Sequence, residues 1–262
     1  MKIRILGCHG SDGMLDTPEG RRTCNTCGFL LNDSLLLDAG TVASALPISD
    51  QRKIRYIILS HLHFDHIKGL PTLADNLSDQ AGTPIMVAGL PEVIDGLHRH
   101  IFNTDVYPDF FTIPTSQNPI LASQHLKPGT SYTLAGVNVT PILVNHTVPT
   151  SGFIIQNQNS AFVYSGDTDA TDELWHEARR LPHLKAAFIE CSYPNSMKEL
   201  ARTSKHLTPA SLAQEFKKLD RPDVALYVYH LKPVFKEMIL QELRSLHLPR
   251  LRVLEEGETL TI

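Results

Sequence analysis

Short apolar runs broken by Gly, Pro, Asn and Asp alternate along this chain with stretches of helical periodicity, a pattern that predicts a mixed α/β protein. Residues 2–7, 28–32 and 34–38 read as strands, with Asp33 and Ser34 as a hairpin turn and a polar loop from Cys8 to Cys27. A short helix over Val42–Leu46, a buried strand over 55–60, a helix running through Leu77, a strand over Pro84–Ala88 and a helix over Pro91–Ile101 follow. From Phe102 to Leu126 the periodicity lapses and the composition turns aromatic and Pro-rich, which predicts a long functional loop or an edge excursion.

Regularity then returns. Strands are expected at 130–134, 137–144, 151–157 and 160–165, a helix at 171–181 and a strand at 185–190. A helix capped by Thr208 with Pro209 in its first turn, a strand at 223–229, a helix at 234–246 and a terminal strand pair complete the chain. Each block runs strands first and helices after, so the expected fold is a four-layer αββα sandwich of the α/β (α+β) class. With 262 residues, 42% of them hydrophobic, and no linker or repeat, one domain spanning 1–262 is expected.

Charge narrows the partners. The formal net charge is −4 and Lys and Arg are scattered, so the footprint of an extended nucleic-acid binder is missing, while a small phosphate ester remains compatible. No apolar run approaches membrane-spanning length, and Met1–Gly7 alternates like a strand rather than reading as a signal peptide. Four cysteines, Cys8, Cys24, Cys27 and Cys191, suit a reducing compartment, and a cytoplasmic location is expected. Oligomeric state is not legible, a homodimer being one option.

The chemistry concentrates in Ser60-His61-Leu62-His63-Phe64-Asp65-His66, directly after the apolar run Arg55–Leu59. Imidazole nitrogen and carboxylate oxygen are ligands that zinc favours, and alternate positions at a strand end project to one side while the following turn aims elsewhere. One loop can thus serve two ions. Further candidates stand where apolar runs end: His146 after Val139–Asn145, Asp167 in Tyr164-Ser165-Gly166-Asp167, and His230 after Ala225–Tyr229. A lone histidine at a strand end is more often a hydrogen-bonded structural residue; the combination with H-x-H-x-D-H favours a dinuclear site.

In type, order and approximate spacing, these residues resemble the metal motifs of the metallo-β-lactamase-fold hydrolases. The resemblance implies that His61, His63 and His146 hold one metal, that Asp65, His66 and His230 hold the other, and that Asp167 bridges both. Asp38 looks like the early aspartate of that family, which orients a ligand imidazole. His63 in the second ligand position favours two Zn2+, with Mn2+ or Fe2+ as alternatives. Hydrolysis is the implied reaction, because paired cations acidify a shared water from a pKa of ~15.7 toward neutrality and stabilise charge on the attacked group.

Three further segments, Glu190-Cys191-Ser192-Tyr193-Pro194-Asn195-Ser196, Ser204-Lys205-His206-Leu207-Thr208-Pro209 and His230-Leu231-Lys232-Pro233, resemble the class II cyclic-nucleotide phosphodiesterases. That resemblance implies a small cyclic nucleotide, cyclic AMP or cyclic GMP, opened to the nucleoside 5′-monophosphate. Asp65, as ligand and proton acceptor, and His206, as the group that stabilises a phosphoryl oxygen or protonates the leaving 3′ oxygen, are the catalytic candidates. Phe64 departs from the leucine of that family's signature. The rival readings are another phosphodiesterase of the fold, such as a ribonuclease Z-like nuclease, and a metal-binding scaffold or sensor without catalysis.

Secondary signals remain open. Lys232 either touches phosphate or lies at the surface. Phe102, Tyr107, Phe110 and Phe111 supply a stacking surface for a base, fill the core or form a dimer contact. Cys24 and Cys27 form a C-x-x-C without a second pair and read as plain thiols, while His98 and His100 lie two apart on a helix and do not form a metal pair.

Overall fold

The computed structural model describes residues 1–17, 20–79 and 82–262. Strand β1 (Lys2–Gly7) is followed by a ribbon, β2 (Gly13–Thr17) and β3 (Gly20–Cys24), and by the hairpin β4 (Gly28–Leu31) and β5 (Leu35–Leu37). Helix α1 (Ile48–Gln51) leads to β6 (Tyr56–Ile58), and α2 (Phe64–Ile67) and α3 (Gly69–Asn76) lead to β7 (Ile85–Gly89). Helix α4 (Pro91–His100) precedes a small ribbon, β8 (Pro114–Thr115) and β9 (Asn118–Pro119), and strand β10 (Leu121–His125). Strands β11 (Tyr132–Leu134), β12 (Val137–Leu143), β13 (Ser151–Gln156) and β14 (Ala161–Tyr164) open the second half. Helix α5 (Glu173–Arg179), β15 (Leu184–Glu190), α6 (Lys198–Ser204), α7 (Pro209–Leu219), β16 (Ala225–Tyr229), α8 (Lys236–Ser245), β17 (Leu251–Val253) and β18 (Thr259–Thr261) complete the order.

Two seven-stranded sheets form, in the orders β10-β7-β6-β5-β4-β1-β18 and β11-β12-β13-β14-β15-β16-β17. Their period-2 patterns explain why they stack. Ile3, Ile5, Phe29, Leu31, Leu35, Leu37 and Ile58 of the first sheet meet Phe153, Ile155, Phe162, Tyr164, Phe188 and Tyr229 of the second in one shared core. The intervening residues turn outward. Leu30, Leu36 and Ile57 pack against residues of α3 and α4, and Ile154, Val163, Ile189 and Val228 against residues of α5, α7 and α8. Strands buried on both faces and covered by helices on the outside give the αββα sandwich.

Several elements differ from the sequence expectation. Val42–Leu46 is a turn, with Ala45 and Leu46 both donating to the Val42 carbonyl, and the first helix starts at Ile48. The stretch 102–126 carries β10, the edge strand of the first sheet, which runs parallel to β7. Its aromatic residues fill the core: Phe102 and Phe110 are buried and Tyr107 and Phe111 pack against them, so the base-stacking role considered for them is not supported. The last two strands do not pair with each other, because β17 extends β16 in parallel while β18 returns to β1. Helix α6 was not anticipated; the sequence KELARTS lacks a continuous apolar face, and only Ala201 in it is buried. Thr208 caps α7 through a capping box with Ser211, and Pro209 opens the helix as expected.

Candidate metal centre

All the sequence-singled ligands come from the carboxyl ends of strands along one edge where the two sheets meet. Asp38 follows β5, His61 to His66 follow β6, His146 follows β12, Asp167 follows β14, and His230 follows β16. Parallel pairing of β5 with β6, and of β14 with β15 and β15 with β16, sends these ends in a common direction. A bond from the Ser151 amide to the Ser60 carbonyl, 3.0 Å, ties the two sheets together beside the cluster. Backbone strain is stored here: Asp38 at φ 54° and His230 at φ 67° are left-handed without being glycine, a cost of about 1–3 kcal/mol each. Gly10 is the neighbour that permits the second turn, since a Cβ there would lie 2.8 Å from His230 Nδ1.

Among the described residues, four overlapping groups of donor atoms lie within 4.8 Å here: Cys27, His66 and His230; Glu190, His206 and His230; and two that join histidine to aspartate, His61, His63, His146 and Asp167 in one and Asp65, His66, Asp167 and His230 in the other. Asp167 belongs to both of the latter. Its Oδ2 stands 3.7 Å from His61 Nε2, 3.3 Å from His66 Nε2 and 3.2 Å from His230 Nε2. Asp65 Oδ2 lies 3.3 Å from His230 Nε2 and 3.7 Å from His66 Nε2.

Hydrogen bonds behind the rings decide which nitrogens face inward. His66 Nδ1 donates to Asp38 Oδ2 at 2.8 Å, and Asp38 also accepts from the Ser60 amide, the Ser60 hydroxyl and the Tyr164 hydroxyl at 2.7, 2.8 and 2.7 Å. With its proton given to Asp38, Ser60 Oγ accepts from His61 Nδ1 at 2.9 Å. His146 Nδ1 donates to the Lys205 carbonyl at 3.0 Å. Ser192 Oγ gives its proton to Glu190 Oε2 at 3.0 Å and accepts from His230 Nδ1 at 2.8 Å. Four imidazoles therefore have Nδ1 tied to a fixed acceptor, which turns Nε2 to the centre. His63 differs, presenting Nδ1 to His146 Nε2 at 3.2 Å.

Ring nitrogens and carboxylates crowd together at the centre. His66 Nε2 and His230 Nε2 are 3.3 Å apart, and His61 Nε2 and Asp167 Oδ1 are buried without a hydrogen-bond partner. Burial opposes charge on His61, His66, Asp65 and Asp167 alike. It holds His61 well below the ordinary histidine range, but His66 lies well above it, because Asp167 and Asp38 outweigh burial. Burial would raise Asp167, yet His230 and His66 hold its carboxyl well below the usual value, and Asp65 is lowered by its bond to His230 and by His66. Each of the two histidine–aspartate groups offers nitrogen and oxygen donors of the type zinc binds, so the residues present fit a metal.

His206 flanks this cluster. Its Nδ1 donates to Glu190 Oε1 at 2.7 Å, its ring stacks on His230 at 5.4 Å between centroids, and it meets His146 edge-on at 5.0 Å. Burial lowers its proton affinity, but the Glu190 carboxylate prevails and raises it above the ordinary value. Glu190, itself fully buried, also accepts from the Thr168 amide at 3.2 Å. Lys232 bonds the Gly10 carbonyl at 3.4 Å and lies over the Tyr193 ring at 5.4 Å. Phe64, the departure from the expected leucine, is 66% exposed. Cys24 and Cys27 are free, buried thiols.

Sequence reasoning missed the supporting residues Ser60, Tyr164, Ser192 and Lys205 and the partner role of Glu190. The spacing Glu190-x-Ser192 at a strand end, and a serine directly before His61, were the available signals. Tyr164 carried none, since its partner Asp38 lies 126 residues away.

Two face-to-face mixed sheets sheathed in helices, with a histidine–aspartate cluster on their common edge, make up the metallo-β-lactamase fold. The chain belongs to the beta-lactamase superfamily, whose domain pattern matches residues 33–230. It is 28% identical over 240 residues to a Yersinia pestis protein named "Probable 3′,5′-cyclic-nucleotide phosphodiesterase", covering 81% of this chain and 68% of that protein. It is also 28% identical over 185 residues to 3′,5′-cyclic-nucleotide phosphodiesterase 1 of Saccharomyces cerevisiae, covering 62% of this chain and about half, 50%, of the yeast protein. The crystal structure of unliganded yeast PDE1 superposes with a TM-score of 0.79 at 22% identity, covering 100% of this chain and 99% of that one. No helix among the described residues is long and apolar enough to cross a membrane.

Proposed function

We propose that this chain is a metal-dependent 3′,5′-cyclic-nucleotide phosphodiesterase that releases the nucleoside 5′-monophosphate. His61, His63 and His146 would hold one zinc ion, Asp65, His66 and His230 a second, with Asp167 shared between them. Paired cations would supply Lewis acidity, lowering the pKa of water and neutralising charge on the phosphoryl group. The chain's own residues divide the remaining work. Asp38, Ser60, Ser192 and the Lys205 carbonyl fix the ring orientations, so the donors are preset for the ions they would hold. Asp65, held ionised, accepts the proton of the attacking water. His206, charged through Glu190, delivers a proton to the 3′ oxygen as its bond to phosphorus breaks.

The observation that carries this reading is the Glu190–His206 pair, 2.7 Å apart and set against the donor cluster, since a proton donor beside the cluster is what cleavage of an alkoxide leaving group requires. The names of the Yersinia and yeast relatives direct it to cyclic nucleotides. A net charge of −4 agrees with a compact monoanion rather than a long polyanion. The test is turnover by the zinc-loaded protein of cyclic AMP, cyclic GMP, bis(p-nitrophenyl) phosphate and a 3′-extended RNA. Cyclic-nucleotide hydrolysis well above RNA cleavage is expected; a loaded protein that ignored both cyclic nucleotides would overturn the proposal.

A further inference from the structure

Beside the cluster lies a cavity of about 620 Å³ between the loop 143–150 and the start of α4. We propose that it is the subsite for the part of the substrate beyond the phosphate, a flat purine ring under the function proposed above, on which this inference rests.

Position is the first ground. His146 is among the residues that line the cavity, and its Nε2 stands 3.2 Å from His63 Nδ1, so the cavity and the donor cluster share this residue. A phosphodiester placed at the cluster has its substituents one side chain away. Chemistry is the second. Leu90, Leu143, Val144 and Val148 line the cavity, and Leu143 is 48% exposed at the end of β12, an aliphatic side chain left open beside polar ligands. Such an arrangement suits the face of a purine, and the volume falls in the range of about 300–1,000 Å³ that ligand sites occupy. Phosphate alone would need none of it.

Rigidity is the third ground. Lys205 also lines the cavity and is left-handed at φ 53°; its carbonyl accepts from His146 Nδ1 at 3.0 Å while its Nζ donates to the His146 carbonyl at 2.9 Å. Both ends of His146 are thereby clamped by one residue. The Val144 amide donates to the Thr150 carbonyl at 3.1 Å, and Thr150 Oγ1 donates to the Val148 carbonyl at 2.9 Å, which fixes the loop from within. A preformed wall lets binding of the non-reacting ring orient the phosphorus against the cluster.

The test measures binding of adenosine 5′-monophosphate and of inorganic phosphate to the zinc-loaded protein by calorimetry, and separately asks whether wild type turns over cyclic AMP. The nucleotide is expected to bind at least about tenfold more tightly than phosphate, and Leu143→Trp, which places bulk in the cavity from a half-exposed position, should lower that ratio by about tenfold. Val148→Trp provides an independent second variant, with circular dichroism as the check on folding for both. A wild-type ratio near one, or a ratio unchanged in the folded tryptophan variants, overturns the subsite. A protein that prefers the nucleotide but turns over no cyclic AMP overturns the proposed activity and leaves the subsite standing.

Discussion

Two of the clusters among the described residues that combine histidine with carboxylate or thiol differ in what completes them. Cys8, His9 and Glu256 bring donor atoms within 4.8 Å of one another, as the strand-edge groups do. There, Lys236 Nζ donates to His9 Nε2 at 3.2 Å, His9 Nδ1 donates to Glu256 Oε1 at 2.8 Å, and Asn25 Nδ2 donates to Glu256 Oε2 at 2.7 Å. The Cys8 thiol donates to the Leu254 carbonyl at 3.4 Å, and burial together with Glu256 pushes its pKa up. Every donor has an acceptor and the lysine balances the carboxylate. At the strand edge, among the described residues, no lysine or arginine pairs with Asp65 or Asp167, and His61 Nε2 and Asp167 Oδ1 remain unpaired. Proximity of ligand types is common to both clusters. Inward-facing ring nitrogens and buried polar atoms without a partner belong to one, and these mark the strand edge as the candidate metal centre.

Substitutions can break the contrast. His206→Ala should leave metal content unchanged and cut phosphodiester turnover by about 10²–10⁴-fold, the usual worth of a positioned acid; steady-state kinetics with elemental analysis of the same sample reads both. Asp38→Asn removes the charge that aims His66 and should weaken metal affinity by about 10–100-fold in equilibrium dialysis, although Asp38 is not itself among the donors. The smallest effect is expected in the other cluster. Lys236→Met should cost about 1–3 kcal/mol in urea unfolding by leaving His9 Nε2 without a partner, while the metal count stays at the wild-type value. A metal count that fell with Lys236→Met would erase the distinction between the clusters.

Much of this was legible in the order of residues, for reasons that can be traced. Strands such as 28–32 and 185–190 are short apolar runs bounded by turn formers, and the candidate donors at 61–66 are contiguous, so local pattern suffices to single them out. Asp38, His146, Asp167 and His230 stand at strand ends, and the sandwich brings those ends together. The turn at Val42–Leu46, with its apolar spacing, imitates a helix, yet Val42 and Leu46 are simply buried under the first sheet. The aromatic stretch at 102–111 looked functional because its apolar residues lack a period; they pack into a core whose other walls come from distant strands. The hydrogen bonds that orient the ligands join residues far apart in sequence, as His146 with Lys205 and Asp38 with Tyr164, and no local signal encodes such pairs.

The central claim is that the strand-edge donors form a two-ion centre built around Asp167. Native mass spectrometry of the zinc-reconstituted protein tests it most directly. Two ions per chain are expected in wild type, two in Lys236→Met, and fewer than two in Asp167→Ala; a wild type that holds no metal, or an Asp167→Ala variant that keeps both ions, would contradict the account.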